Sequence, residues 1–191
     1  MLSIGVDIGT VNGSIAIIDD QFNIRLLTKA PYIEKVTSKT ANNRLKPKID
    51  KETGKLVDCY RTRKWTDYTK FRDIFSPFVG KKSEILYTME RVSVRPMEGE
   101  IHSFIFGNSL GCFQGLSAYL NPIRIYEPTP QEWKGSMGLT SNKEESVKLA
   151  EKIFEVNLRQ YLPKGKLDDI AEALLLAVYG LKQYYDETNG G

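Results

Sequence analysis

Residues 2–19, LSIGVDIGTVNGSIAIID, contain two apolar runs, 2–7 and 13–19, joined by a glycine-rich turn. Each run has the length and β-branched content of a strand, so this stretch predicts two paired strands. A third run, 22–28 (FNIRLLT), follows the tight Asp19-Asp20-Gln21 connection and extends the pair into an antiparallel meander. Further on, Ile85–Met89 predicts a buried strand ending at Glu90, and Ile123–Tyr126 a brief one. Helical patterns fill the rest. One is capped by Thr66 and runs to Phe78, with Phe71, Ile74, Phe75 and Phe78 on one face. A long one spans His102 to Leu120, and a short one opens at Pro128 and Pro130 and runs through Trp133. Thr140 or Ser141 caps another, with Glu144 completing a capping box after Ser141. The last runs from Asp168 to about Tyr184. This order predicts an α/β domain with a mixed five-stranded sheet and helices on both faces.

The 191 residues suit one domain, 1–191, with a basic insertion at about 29–70. That insertion has scattered Lys, Asn, Thr and Pro without clear periodicity, which predicts a loop or an irregular β-rich insert. With 41% apolar and 27% charged residues the chain is neither disordered nor membrane-spanning in composition. No run of 18 apolar residues and no export signal occur, so a cytoplasmic protein is expected. The cysteines are Cys59 and Cys112, and His102 is the one histidine, which nearly excludes a zinc site built from sulfur and imidazole. A metal would need oxygen ligands, which favours magnesium or manganese. The net charge of +3 is weak, but between Lys29 and Arg72 thirteen Lys or Arg face five Asp or Glu. The rest of the chain is net negative, so this stretch is a real concentration of positive charge, either a solvated surface or a phosphate-binding one.

Acidic residues fall at places that matter. Asp7 ends the first strand, Glu90 ends the later buried strand, and Asp168, Asp169 and Glu172 open the final helix. Offsets of three and four residues put Asp168 or Asp169 on the same helix face as Glu172. Strand-end and helix-borne carboxylates can converge at the carboxyl edge of an α/β sheet. Converging carboxylates repel one another unless divalent cations lie between them. Two Mg²⁺ ions about 3.5–4 Å apart would compensate the charge and support phosphodiester hydrolysis that leaves a 5′-phosphate. Taken singly, each acid has a plainer account: Asp7 as a turn residue, Asp168 and Asp169 as partners of a helix dipole. Glu90 resists one, because a charge seldom ends a run such as Ile-Leu-Tyr-Thr-Met without a partner.

Four segments carry a family resemblance. Gly5-Val6-Asp7-Ile8-Gly9-Thr10 with Gly13–Ile18 resembles the opening strand–turn–strand of RuvC-like nucleases of the ribonuclease H-like superfamily. Met89-Glu90-Arg91 followed by Pro96–Gly115 resembles the phage and organellar RuvC-like pattern, in which a catalytic Glu ends a strand and a Gly- and Phe-containing helix follows. Pro130-Gln131-Glu132-Trp133-Lys134, continuing to Lys143, is similar to a Pro-x-x-Trp-Lys element with its later lysine. Lys166–Leu175 (KLDDIAEALL) is similar to the closing Asp-Asp helix. The resemblance implies a phage-type Holliday-junction resolvase: a homodimeric, magnesium-dependent endonuclease that cuts four-way DNA symmetrically, with Mn²⁺ able to substitute and no nucleotide cofactor. By position it implies Asp7, Glu90, Asp169 and Glu172 as metal ligands, with Asp168 fitting the alternative register of the third acid. Glu172 stands where many members carry Asp.

The resemblance also implies Lys134 and Lys143 near the scissile phosphate, where an ammonium would neutralise transition-state charge. Arg91, Arg95 and the basic insertion are candidate phosphate contacts. Phe104 and Phe106 are candidates for stacking on unpaired bases, or else core residues. Gly107, Gly111 and Gly115 form a small-residue stripe suited to packing on the sheet or on a partner helix. Alternatives stay open: an RNase H-like nuclease for flaps, branches or RNA, or a non-cleaving junction-binding module. Asp7-Ile8-Gly9-Thr10 also resembles the first phosphate loop of actin-like and sugar-kinase ATPases, but the last hundred residues contain no second Asp-x-Gly loop.

Overall fold

A computed structural model describes residues 1–9, 13–39, 48–49, 52–54, 56–57, 60–79, 84–92 and 99–190. In chain order the strands and helices are β1 (Leu2–Asp7), β2 (Ser14–Asp19), β3 (Ile24–Lys29), β4 (Tyr32–Lys39), β5 (Lys48–Ile49), β6 (Leu56–Val57), β7 (Tyr60–Thr66), α1 (Tyr68–Phe75), β8 (Ile85–Met89), α2 (Glu100–Leu120), β9 (Arg124–Tyr126), α3 (Pro130–Ser136), α4 (Lys143–Phe154) and α5 (Leu167–Asn189). The main sheet has the order β3-β2-β1-β8-β9. Its first three strands are antiparallel, and β8 and β9 join parallel to β1. The expected mixed five-stranded sheet is thus present.

Side-chain alternation assigns the two faces. Ile4, Val6, Ile15, Ile17, Tyr87 and Met89 pack against Phe71 and Phe75 of α1 and Phe113 and Leu116 of α2. Ala16, Ile18 and Leu86 look the other way, onto α5, with α4 stacked behind it. Each large core side chain contributes roughly 1.5–3 kcal/mol by leaving water. Contact between α5 and the sheet is closer than apolar packing alone would give. A Cβ on Gly5 would lie 2.0 Å from the Ala173 carbonyl oxygen and 2.4 Å from the Ala177 nitrogen. One on Gly180 would lie 2.2 Å from Thr88 Oγ1, and the Ser3 hydroxyl donates to the Ala177 carbonyl at 2.7 Å. Two glycines, one on the strand and one on the helix, therefore set the depth at which α5 sits.

The β2–β3 turn is built around one carboxylate. Asp19 accepts from the Gln21 and Asn23 backbone N–H groups, the Asn23 amide and the Arg25 guanidinium. Phe22 takes a left-handed φ of 60° inside this turn, so β3 starts at Ile24 rather than at Phe22 as expected from the apolar run. The register then shifts: Ile18 faces Ile24 but Ile17 faces Leu26, leaving Arg25 as a one-residue bulge. Burial alone would raise the Asp19 pKa, but the hydrogen bonds from Asn23, Arg25 and Gln21 bring it from 3.8 down to about 2. A lowered carboxylate pKa contributes stability that is present above 3.8 and is lost as the pH falls toward 2. Asp19→Asn should therefore lower the melting temperature at neutral pH, and its gap from the wild type should close at about pH 2. A gap that is constant with pH in thermal melts would contradict this.

The basic insertion is more regular than expected. β4 and β7 form a two-stranded antiparallel ribbon, from Tyr32 opposite Thr66 to Lys39 opposite Tyr60, and β5 pairs with β6. Its sequence mixes charged and apolar residues, so no continuous period-2 alternation announces it, although Trp65 and Thr66 of β7 pack on α2 through Phe104 and Ser109. At its base the Lys64 ammonium stands 4.1 Å over the Tyr32 ring, and the Thr66 and Ser109 hydroxyls meet at 3.3 Å. Two caps differ from expectation. Thr66 is the last residue of β7, so Asp67 caps α1, accepting from the Lys70 N–H. Asn142, not Thr140 or Ser141, caps α4 through the Glu144 N–H, while Thr140 bonds to Glu145. The capping box is instead Thr129 with Glu132, at the start of α3. Among the described residues no helix is long and apolar enough to cross a membrane.

Candidate active site

The pairing registers line up four polar residues in one row across the main sheet. Lys29 of β3 faces Ser14 of β2, and Ser14 faces Asp7 of β1. Glu90 follows Met89, the partner of Val6, and its backbone N–H donates to the Val6 carbonyl at 3.3 Å. Residues level with one another across a sheet point to the same face. Gly5 and Thr88, two positions earlier in their strands, both look at α5, so Asp7 and Glu90 look at α5 as well. The first turn of α5 brings Asp169 and Glu172 to meet them, three residues apart and on one face.

The acids feel one another. Burial pushes the Asp7 carboxyl well above the ordinary carboxylate range, and Glu172, Glu90 and Asp169 push it further; Lys29 pulls in the opposite direction. Glu90 is raised as well, mainly by burial and then by Glu172, against the lowering effect of its Trp133 hydrogen bond and of Lys134. Three ammonium groups hold the helix-borne acids. Lys29 pairs with Asp169, Lys134 with Glu172 at 2.8 Å, and Lys143 with Asp168. Trp133 is fully buried, and its indole N–H donates to Glu90 Oε1 at 2.9 Å. Adjacent helix residues are rotated by about 100°. Asp168 accordingly turns away from Asp7 and toward Lys143, which holds its pKa below the ordinary value against the effect of burial. The structure thus brings Asp7, Glu90, Asp169 and Glu172 together and sets Asp168 beside them. Lys143 is near all three helix acids.

Other sequence candidates divide. Phe106 is partly buried against the α1–α2 core, whereas Phe104 is 67% exposed and meets Trp65 edge-on at 5.8 Å. Arg91 is exposed, and its backbone N–H donates to the Pro128 carbonyl, tying the site to the chain before α3. His102 is exposed in the first turn of α2. Arg95 lies outside the described residues. Gly107, Gly111 and Gly115 do not pack on the sheet: all three are exposed, and a Cβ on any of them would meet nothing within 4 Å. A groove of about 400 Å³ between α4 and the start of α5 is lined by Lys143, Lys148, Arg159 and Lys166 and by the acids Glu144, Glu151 and Asp168.

Among the described residues no three acid, imidazole or thiol side chains form a ready coordination sphere; Asp169 and Glu172 are turned onto ammonium groups. The donor chemistry nevertheless fits a hard divalent cation, because Asp7, Glu90, Asp169 and Glu172 offer only carboxylate oxygens. Sequence reasoning named the acids and Lys134 and Lys143 but missed Lys29 and the role of the Trp133 N–H. Neither shows a sequence signal of its own, since both follow from the strand register and from the depth of α3.

No protein-family model matches the sequence, and no curated protein does. Solved structures do resemble the fold. The chain superposes on Thermus thermophilus RuvC in complex with a Holliday junction substrate with a TM-score of 0.54 at 11% identity, covering 98% of this chain and 96% of that one. Another Thermus thermophilus RuvC structure gives 0.51 at 14% identity, covering 99% and 97%. A yeast mitochondrial Holliday junction resolvase gives 0.49 at 15% identity, covering 98% and 82%. With its β3-β2-β1-β8-β9 sheet and helices on both faces, the chain has the ribonuclease H-like fold in its RuvC form over nearly its whole length.

Proposed function

We propose that the protein is a divalent-cation-dependent endonuclease that resolves four-way DNA junctions. The observation that carries this reading is the convergence of Asp7, Glu90, Asp169 and Glu172 at the carboxyl edge of a RuvC-form sheet. These four carboxylates would hold magnesium or manganese, which supplies charge neutralisation for attack of water on a phosphodiester, with loss of the 3′-oxygen and retention of a 5′-phosphate. The chain's own residues prepare that chemistry. The Trp133 N–H restrains the Glu90 carboxylate through one of its oxygens, leaving the other as a ligand for the cation. Lys134 and Lys143 keep positive charge beside the acids, where a phosphate would arrive. Lys148, Arg159 and Lys166 of the groove along α4 and the positively charged insertion offer phosphate contacts, which position DNA without reading its sequence. Paired cuts across a junction call for two active sites, hence a homodimer.

Cleavage of four-way, flap and linear DNA and of RNA–DNA hybrids with Mg²⁺ tests the proposal. Symmetric nicks confined to the four-way substrate are expected. Cutting of RNA hybrids alone would overturn the resolvase reading, and junction binding without any cleavage would make the protein a binding module. Trp133→Phe should fold and bind junctions but cleave roughly 10- to 100-fold more slowly, the usual loss when the partner that orients a ligand is removed. Single-turnover rates measured across a Mg²⁺ titration check this; an unchanged rate would remove Trp133 from the site.

A further inference from the structure

We infer that the ε-ammonium of Lys29 is the counter-ion that Asp169 keeps when no divalent cation is bound, and that it must give way for the cation to take Asp169 as a ligand. Lys29 thereby sets the cation affinity of the site. The inference rests on the reading of Asp7, Glu90, Asp169 and Glu172 as cation ligands.

The backbone alone places Lys29 for this role. It lies in the Lys29–Ser14–Asp7 row, two strands from Asp7, or roughly 10 Å between backbones at ordinary strand spacing. It shares the α5-facing side with Asp7, and Ser14 between them is fully buried. A lysine stem can cross a residue as small as serine, and the Lys29 ammonium does so to reach Asp169 Oδ2. The pair is mostly enclosed, with side-chain exposures of 26% for Lys29 and 11% for Asp169, so solvent screens it weakly. A cation that takes Asp169 as a ligand competes with this ammonium for the same oxygens. Lys134 and Lys143 come from α3 and α4, so Lys29 is the sheet's own contribution of positive charge to the row.

Titration calorimetry with Mg²⁺ and with Mn²⁺ on the full chain, and thermal melts in EDTA and in saturating Mn²⁺, test the inference. Lys29→Met should tighten cation binding by about tenfold, within the usual range of coupling between two charged ligands of one site. Its melting temperature should fall below the wild type in EDTA and match it in Mn²⁺. Lys29→Arg, which keeps the charge, should bind cations within about twofold of the wild type. Lys152→Met, the same charge loss at an exposed position on α4, should also stay within about twofold. Unchanged or weaker binding by Lys29→Met overturns the inference, and so does an equal gain in Lys152→Met. A Lys29→Met protein that is unfolded in both buffers also overturns it, because Lys29 would then be needed regardless of the cation. A wild type that binds neither ion overturns the ligand assignment itself, which separates the two failures.

Discussion

Asp7→Asn is expected to abolish junction cleavage, by at least about a thousandfold, while junction binding in EDTA survives. The argument is electrostatic. Asparagine keeps the shape and the β1 register but gives up the anionic oxygen at the centre of the acid cluster. The same substitution should move stability in a direction that an ordinary core mutation would not. The Asp7 pKa is raised in the folded state, by burial first and then by Glu172, Glu90 and Asp169. A raised carboxyl contributes stability that is fully present below its ordinary 3.8 and is lost as the pH rises through the folded value. Cation-free wild type should therefore lose stability with rising pH in this region, and Asp7→Asn should lose less, the remainder coming from Glu90, which burial and Glu172 also raise. At neutral pH in EDTA the variant should melt higher than the wild type, and saturating Mg²⁺ should stabilise the wild type and not the variant. Full cleavage by Asp7→Asn would remove the residue from the site. A lower melting temperature in EDTA would show that Asp7 is held by favourable bonds rather than by crowded charge.

The second large effect is on folding. Gly5→Ala should cost about 4 kcal/mol or more, which lies at the extreme of single substitutions and is a large part of the total stability of a domain. The added Cβ would meet two backbone groups of α5, the Ala173 carbonyl at 2.0 Å and the Ala177 nitrogen at 2.4 Å. No rotamer relieves a clash with backbone, so α5 must lift off β1. That movement carries Asp169 and Glu172 away from Asp7 and Glu90, and activity should fall with the fold. Gly107→Ala provides the contrast: its Cβ meets nothing within 4 Å on an exposed helix face, so the change should stabilise by about 0.8–1 kcal/mol. Thermal melts of the two variants, side by side, decide the matter; a Gly5→Ala protein that melts like the wild type would refute the close approach.

Much of this was legible in the sequence, and the misses share causes. The strand runs and the acids at their ends could be read because burial on both faces makes β1, β2 and β8 mostly apolar and free of internal charge, and a charge at the end of such a run stands out. The Asp168–Asp169 ambiguity could not be resolved from spacing, since both are compatible with Glu172; the orientation of α5, set by Gly5 and Gly180, turns Asp169 inward. Caps were misplaced by one or two residues where several cap-forming side chains stand together, as at Thr140-Ser141-Asn142. The β4–β7 ribbon was readable no further than as a loop or an irregular β-rich insert, because its charged and apolar residues do not alternate cleanly. Lys29 escaped because its place depends on pairing across three strands.

That place is decided far from where it acts. Were Arg25 paired in the ladder instead of bulged out, β3 would run one step out of phase: Thr28 rather than Lys29 would face Ser14, and Lys29 would project from the opposite side of the sheet. The Asp19 turn, which binds Arg25, therefore acts as the timing mark for the whole strand. Parity set at one end of the hairpin determines which charge is presented at the other.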